Sequence, residues 1–206
     1  MIVTHSDSDH YSGIKELFHE DDITITNFVL PDIANPDEAY HELENAAVKK
    51  GCRIFYMKTG DKLKFNEVTF TCLNPEKISY DDKNRGSIVM WLKYRDFDML
   101  LTGDMDRYAE EKILSQDYFE KGLSEVEVLK VAHHGSASAS CEEFLQKINA
   151  KVAVISAGKN NRYGHPAPEV VERLSKYCKY IYLTKDSGAV TIRTDGKKFR
   201  VLQFVK

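Results

Sequence analysis

Short apolar runs rich in β-branched and aromatic residues alternate along this chain with longer amphipathic, charge-rich segments, a pattern that predicts strands interleaved with helices. Ile2-Val3 is of strand type, and residues 14–18 read as an amphipathic helical segment. Residues 23–30 are β-branched and stop at Pro31, as a strand does. Residues 37–50 are rich in helix formers, with Asp37 as the cap and Gly51 as the stop. Three strands are predicted over 53–57, 62–65 and 68–73, followed by a long polar loop over 74–86. Residues 87–94 and 97–102 read as a hairpin turning at Arg95-Asp96. Helices are then expected over 105–114, 141–148 and 168–177, the last with Pro at its start, where the missing amide is harmless. Strands are expected over 126–132 and 151–156 between them. Three closing strands, 180–184, 189–194 and 199–205, are joined by Asp-Ser-Gly and Asp-Gly turns. The whole reads as an α/β layered domain covering residues 1–206.

Composition narrows this picture. With 206 residues, 42% of them hydrophobic, the chain can build one sizeable core. A net charge of −3 gives no global attraction to nucleic acid or anionic membrane, so any such contact needs a local basic patch. The cysteines Cys52, Cys72, Cys141 and Cys178 are scattered without C-x-x-C spacing and read as reduced, packed thiols. No apolar run approaches the roughly 20 residues of a membrane span, and no signal peptide is visible. A soluble domain is expected, cytoplasmic or attached to a membrane protein.

Polar clusters fall at the ends of predicted strands. The first stretch, Thr-His-Ser-Asp-Ser-Asp-His, carries His5, Asp7, Asp9 and His10. Where the backbone is extended, positions 5, 7 and 9 project to one side and can converge on a cation. Mixed His and Asp ligands suit zinc, manganese or iron(II). Asp and Ser also serve as ordinary turn and cap residues, which is the plainer reading of this stretch. The other clusters are Asp104, His133-His134 and His165. In α/β layers, polar groups just beyond strand ends meet along one sheet edge. Five of the seven histidines fall in these clusters, and His19 and His41 lie on predicted helical surface. Successive residues of an extended chain point opposite ways, so one of His133 and His134 is expected to bind metal and the other to face substrate. Gly135-Ser136 would let substrate approach, and Lys159, Asn160, Asn161 and Arg162 form a basic, amide-rich loop suited to clamping a phosphate, or else an ordinary solvated turn.

The set Thr-His-x-Asp-x-Asp-His, Leu-Leu-Thr-Gly-Asp, His-His-Gly-Ser and Asn-Arg-Tyr-Gly-His-Pro resembles the metallo-β-lactamase-fold hydrolases, and among them the hydrolase domain of ComEC-type DNA-internalisation competence proteins. Asn84-Arg85-Gly86-Ser87-Ile88-Val89 and Asp186-Ser187-Gly188-Ala189 are similar to secondary signatures of that family. The resemblance implies a bacterial origin and an αββα sandwich with a site for one or two metal ions, Zn2+ or Mn2+, between the sheets. Carried over by motif, Asp9, His10, Asp104 and one of His133 and His134 would hold one ion. His5 and Asp7 would hold the other, with Asp104 bridging. Position 7 is Asp where the wider superfamily has His, so the second site is expected to be ligand-poor and exchangeable. The first ligand stands at residue 5, whereas the family has about fifty residues ahead of it. A fragment, or a first sheet short of N-terminal strands with exposed edges, is therefore expected. The implied activity is metal-assisted hydrolysis of a phosphodiester in nucleic acid, with Asp9, His134 and His165 as catalytic groups and Ser136, Lys159, Asn161 and Arg162 contacting substrate. A small-molecule phosphodiesterase is the alternative, favoured by the acidic charge and by a lack of interleaved aromatic and basic residues. A non-enzymatic interaction domain is a further one.

Overall fold

Alternation along the central strands dictates the layering, because each of them buries both of its faces. In the computed structural model, which describes residues 1–76 and 83–204, β3 (Lys62–Phe65), β4 (Val68–Asn74), β5 (Val89–Tyr94), β6 (Phe97–Leu101), β7 (Val128–Lys130), β8 (Val152–Ile155) and β9 (Tyr180–Leu183) form one seven-stranded sheet in that order. The strands from β3 to β6 pair antiparallel, and those from β6 to β9 pair parallel. Along β6, Leu100 points into one core and Phe97, Met99 and Leu101 into the opposite layer. On β8, Ala153 and Ile155 face the first core while Val152 and Val154 face the second.

The first core is covered by α3 (Arg107–Leu114), α4 (Glu142–Ile148) and α5 (Pro168–Tyr177) through Ile113, Phe144, Leu145, Val170 and Leu174. The opposite face meets a second β layer. One part of it is the parallel pair β1 (Asn27–Pro31) and β2 (Arg53–Met57), whose Val29 and Met57 pack on Cys72, Ile88 and Met90. The other is the hairpin of β10 (Val190–Thr194) and β11 (Phe199–Gln203), which covers Phe97, Val128 and Val152. Outside β1 and β2 lie α1 (Ser8–His19) and α2 (Glu38–Lys49), packed through Phe18, Leu43 and Ala47 onto Phe28 and Leu30. The order of layers is thus αββα, with the central strands of the large sheet covered on both faces.

Several element boundaries depart from the sequence expectation for local reasons. The first helix begins at Ser8 rather than near Ile14, since Asp7 takes the extended cap conformation (φ −81°, ψ 143°) and the polar first turn carries no apolar periodicity to announce it. The strand expected over 23–30 is paired only from Asn27. The Asp-Ser-Gly segment does not join a hairpin: Thr184–Ser187 coil into a single helical turn, α6, and β9 and β10 lie in different sheets. The expected loop over 74–86 and strand to Val205 extend into residues 77–82 and 205–206, outside the described residues. Asp37 does cap α2, its Oδ1 accepting from the Tyr40 N–H at 2.9 Å, and the helix buries Tyr40, Leu43 and Ala47 along one face. In the second β layer, β2 leaves Phe55 and Tyr56 about half exposed. The four cysteines are free thiols, three of them buried.

Among the described residues no helix is long and apolar enough to cross a membrane. The four parallel strands β6 to β9 all end on the same side of the sheet, and every polar cluster of the sequence sits in the loops that leave those ends or beside them.

Candidate metal centre

Each of the histidine and aspartate groups is delivered by a different piece of backbone machinery. Val3 donates its N–H to Val29 O at 3.0 Å and Ile88 donates to Thr4 O at 2.8 Å, which hold the chain in register up to His5. His5 is 2% exposed. Beyond it the chain turns into α1, so Asp9 and His10 occupy the first helical turn and the extended, alternating arrangement expected for positions 5, 7 and 9 does not form. Asp7, at the cap, makes no side-chain capping bond. Its carboxylate lies 3.7 Å from His5 Nε2 and 3.5 Å from the Lys83 ammonium, which is itself paired with Asp37 at 2.6 Å.

Asp104 follows β6 through Gly103. Gly103 has φ +52°, and a Cβ there would meet Ser87 Cβ at 3.0 Å, so the tight turn favours glycine. The Asp104 N–H donates to Ser87 Oγ at 3.2 Å, and the Asn74 amide donates to Ser87 O at 2.7 Å, which seats that serine in turn. His133 and His134 are both left-handed (φ 46° and 54°) in a single 3-10 turn, Ala132–Gly135, not in extended chain. The two rings stand edge to face at 70°, with centroids 6.3 Å apart, and both line the same cleft.

Three imidazoles aim Nε2 at Asp104 or at the space beside it. His134 Nδ1 donates to Ser156 O at 2.8 Å, which leaves its Nε2 as the inward atom. That Nε2 lies 3.3 Å from Asp104 Oδ2, 3.4 Å from Asp9 Oδ2 and 3.3 Å from His10 Nε2. His10 Nε2 is 3.3 Å from Asp104 Oδ2, while its Nδ1 faces Thr4 Oγ1 at 3.4 Å. His5 turns Nδ1 to the same hydroxyl at 3.0 Å, and its Nε2 is buried with no hydrogen-bond partner among the described residues. Asp104 Oδ1 is likewise buried and unpartnered. Two trios, His5-His10-Asp104 and Asp9-His10-His134, have ligand atoms within 4.8 Å of one another. Orphaned buried acceptors in a group rich in carboxylate and imidazole are costly unless a cation satisfies them. The residues therefore fit a divalent metal, and nitrogen-oxygen donors without sulfur suit Zn2+, Mn2+ or iron.

Electrostatics agree with that fit. Burial, then the neighbouring His10, push the His5 pKa down to about 4, so its ring is neutral and able to ligate at pH 7. Burial drives the Asp104 carboxyl up, but hydrogen bonds and charge from His10 and His134 outweigh it and hold the group ionised, well below the usual carboxylate range. The hydrogen bond to Asp104 raises His134 against the effect of burial. Of the adjacent pair, His134 belongs to a trio, whereas His133 Nε2 stands 3.9 Å from Asp104 Oδ2 with its Nδ1 3.4 Å from Ser138 Oγ.

A cleft of about 680 Å³ opens over these groups, lined among others by Asp9, Asp104, His133, Tyr163, His165 and Thr184. His165 reaches it as expected, its ring 5.7 Å from that of His133. Burial and then His133 and His134 lower its pKa. Asn161 lines the cleft but is spent on the loop: its amide donates to Gly158 O and His165 O, both at 2.8 Å, and its Oδ1 accepts from the His165 N–H at 2.8 Å. Ser136 is buried with its hydroxyl against Ser138 Oγ at 3.0 Å, and neither it nor the exposed Lys159 and Arg162 lines the cleft. Sequence reasoning overlooked Tyr163, although it lies inside a quoted motif, and Thr184, whose hydroxyl ties the ends of β8 and β9 through both Ala157 backbone groups. Lys83 was also overlooked, and no local signal connects it to Asp7.

Gly135 is where this arrangement is most exposed to substitution. It has φ +83°, and a Cβ would fall 2.6 Å from Pro166 Cβ and 3.1 Å from its Cα. Gly135→Ala is expected to destabilise the fold by about 2–3 kcal/mol through strain and overlap, and to shift both histidines. Thermal unfolding together with the histidine resonances in NMR spectra checks this. Unchanged melting would show that the turn yields freely.

Comparison with known proteins places this geometry. The profile of the metallo-beta-lactamase superfamily matches residues 1–159. ComE operon protein 3 of Bacillus subtilis is 32% identical over 193 residues, 94% of this chain and 24% of that protein. Competence protein ComA of Neisseria gonorrhoeae is 26% identical over 194 residues, 92% of this chain and 24% of that protein. The chain thus spans about a quarter of the length of these curated relatives, at 24% of each. Among solved structures, the metallo-beta-lactamase fold protein YhfI of Bacillus subtilis superposes with a TM-score of 0.53 at 10% identity, covering 88% of this chain and 73% of that one, a likeness of fold alone. With the αββα layers and the histidine-aspartate cluster at the sheet edge, these matches establish that the chain belongs to the metallo-beta-lactamase superfamily, on the branch that resembles ComEC-type competence proteins.

Proposed function

We propose that this chain hydrolyses phosphodiesters of nucleic acid at the His-Asp cluster. The observation that carries the reading is the convergence of unpartnered acceptor atoms, His5 Nε2 and Asp104 Oδ1 among them, beneath an open cleft. Asp9, His10, His134 and Asp104 would hold one ion, and His5 with Asp7 and Asp104 a second. A bound divalent ion would supply the acidity that ionises a water near neutral pH and the positive charge that phosphoryl oxygens need in the transition state. Asp9 is the solvent-exposed carboxylate of the trio and is placed to orient the attacking water and take up its proton. Asp104, held ionised, fixes His10 and His134. Ser156 O fixes the ring of His134. His165, lowered in pKa, is neutral at pH 7 and donates a hydrogen bond to a phosphoryl oxygen. His133 beside it is the group placed to protonate the leaving oxygen. Lys83 already neutralises one oxygen of Asp7, which supports a weaker second site.

The names of the relatives, one of them a competence protein, support DNA as the polymer and its uptake as the setting. Manganese or zinc is the expected ion. Cleavage of end-labelled single- and double-stranded DNA by metal-stripped protein, resupplied in turn with manganese, zinc and magnesium, tests the reading. Cutting is expected with manganese or zinc and is expected to disappear in Asp9→Ala. No cutting under any ion would sink it. A small phosphodiester is the second reading, favoured by the position of Lys159 outside the cleft. Salt separates the two, because strand binding weakens steeply with ionic strength and a small ester responds mildly.

A further inference from the structure

We propose that Tyr163 is a stacking platform for a nucleobase next to the scissile phosphodiester, and that the strand entering this cleft is therefore single-stranded. The inference rests on the nucleic-acid reading above and names the form of the substrate. Tyr163 is 66% exposed yet lines the same cleft as Asp9, Asp104 and His133, an uncommon position for a large ring with no core to fill. It stands beside His165, the two rings nearly parallel at 18° with centroids 5.9 Å apart. Tyr163 nonetheless remains largely exposed, so ring surface is left for a base beside His165, and the two rings form a step. Gly164, left-handed at φ +71° and with open space around it, makes the turn that sets them side by side. Arg162 leans over the tyrosine ring, its guanidinium carbon 5.0 Å from the ring centre in a cation-π contact, while its Nη2 donates to Tyr163 Oη at 2.9 Å. Aromatic and basic groups are thus interleaved here, the feature whose apparent lack in the sequence favoured a small ester.

Rigidity strengthens the argument. The three hydrogen bonds of the Asn161 side chain pin the loop from Gly158 to His165, so the platform is held before substrate arrives and little entropy is lost on binding. Every base offers a π-face, so such a ring binds without sequence preference, but only once the base is out of a duplex. A phosphate seated over the His-Asp cluster and a base on Tyr163 use both parts of one nucleotide.

The test uses the full chain and single-stranded oligodeoxynucleotides with cleavage-resistant phosphorothioate linkages, carrying fluorescent 2-aminopurine at each position in turn. One or two adjacent positions are expected to be quenched on binding, and Tyr163→Ala to lose that quenching and about 10- to 100-fold in affinity, whereas Tyr163→Phe keeps both. An abasic residue at the quenched position is expected to cost the wild type the same factor and Tyr163→Ala almost nothing. Binding of equal strength by wild type and Tyr163→Ala, with no quenched position, would remove the platform and leave the nucleic-acid reading standing. Failure of the wild type to bind any strand would remove both. An equal loss in Tyr163→Ala with a single-residue aromatic phosphodiester, and no gain from added nucleotides, would assign the ring to a small ester instead.

Discussion

Replacing Asp104 by asparagine is expected to lower metal affinity by more than about 100-fold and to reduce hydrolysis to background, with the fold intact. The side chain is 4% exposed and keeps its shape in the variant, so packing around it survives. What disappears is the charge that His10 and His134 share at 3.3 Å each and an oxygen that no group among the described residues satisfies. Titration with manganese and zinc measures the loss directly. A second readout is free of catalysis: a ligand at 100 times its dissociation constant stabilises the folded state by about 2.7 kcal/mol, so metal is expected to raise the melting temperature of the wild type and leave that of Asp104→Asn unmoved. Equal metal stabilisation of both proteins would show that Asp104 is not a ligand.

The second large effect concerns acid. Glu110, on α3, is completely buried and accepts the N–H groups of Ser140 and Cys141 that open α4. Burial pushes its pKa up from 4.5 to about 7 against those amides, so between these values the folded state holds a proton that the unfolded chain has lost. Glu110 therefore adds stability as the pH falls through that window. His5 acts in the opposite sense. Its pKa falls from 6.5 to about 4 on folding, so its contribution is present above 6.5 and is lost on acidification. Each amounts to about 3 kcal/mol at 1.36 kcal/mol per unit, and over pH 4.5–6.5 they oppose one another. His165, lowered more mildly, sides with His5. In the presence of chelator the wild type is expected to show a shallow dependence of stability on pH, whereas Glu110→Gln loses about 3 kcal/mol between pH 6.5 and 4. Denaturant unfolding at several pH values checks this. The slope is the diagnostic, since a lost acceptor lowers stability at every pH. Parallel slopes in the two proteins would overturn the assignment.

Much of the architecture was legible because strands reveal themselves through β-branched runs and their turns. The 97–101 strand and the 168–177 helix stand where pattern and Pro168 put them. The site was legible as a set of residue types at strand ends, and the loops after parallel strands do meet. What escaped were backbone conformations and contacts that residue type alone does not reveal. Asp9 and His10 lie in a helix because Asp7 turns the backbone, while the polar first turn looks like a loop. His133 and His134 adopt a left-handed conformation that only a neighbouring glycine would have suggested. Lys83 reaches Asp7 across 76 residues, a contact that no local pattern encodes. Asn161 looked like a substrate ligand because an amide's chemistry is visible in sequence and its hydrogen-bond partners are not.

His10 and His134 touch at 3.3 Å although 124 positions separate them. The ligand set is therefore completed in stages: His5 and His10 meet Asp104 once β6 is in place, and His134 joins them only when β7 has paired beside β6. Contacts of such long sequence separation form late and slowly. Full metal-binding competence is consequently expected late in the folding of this domain, and can serve as a clock for completion of the topology.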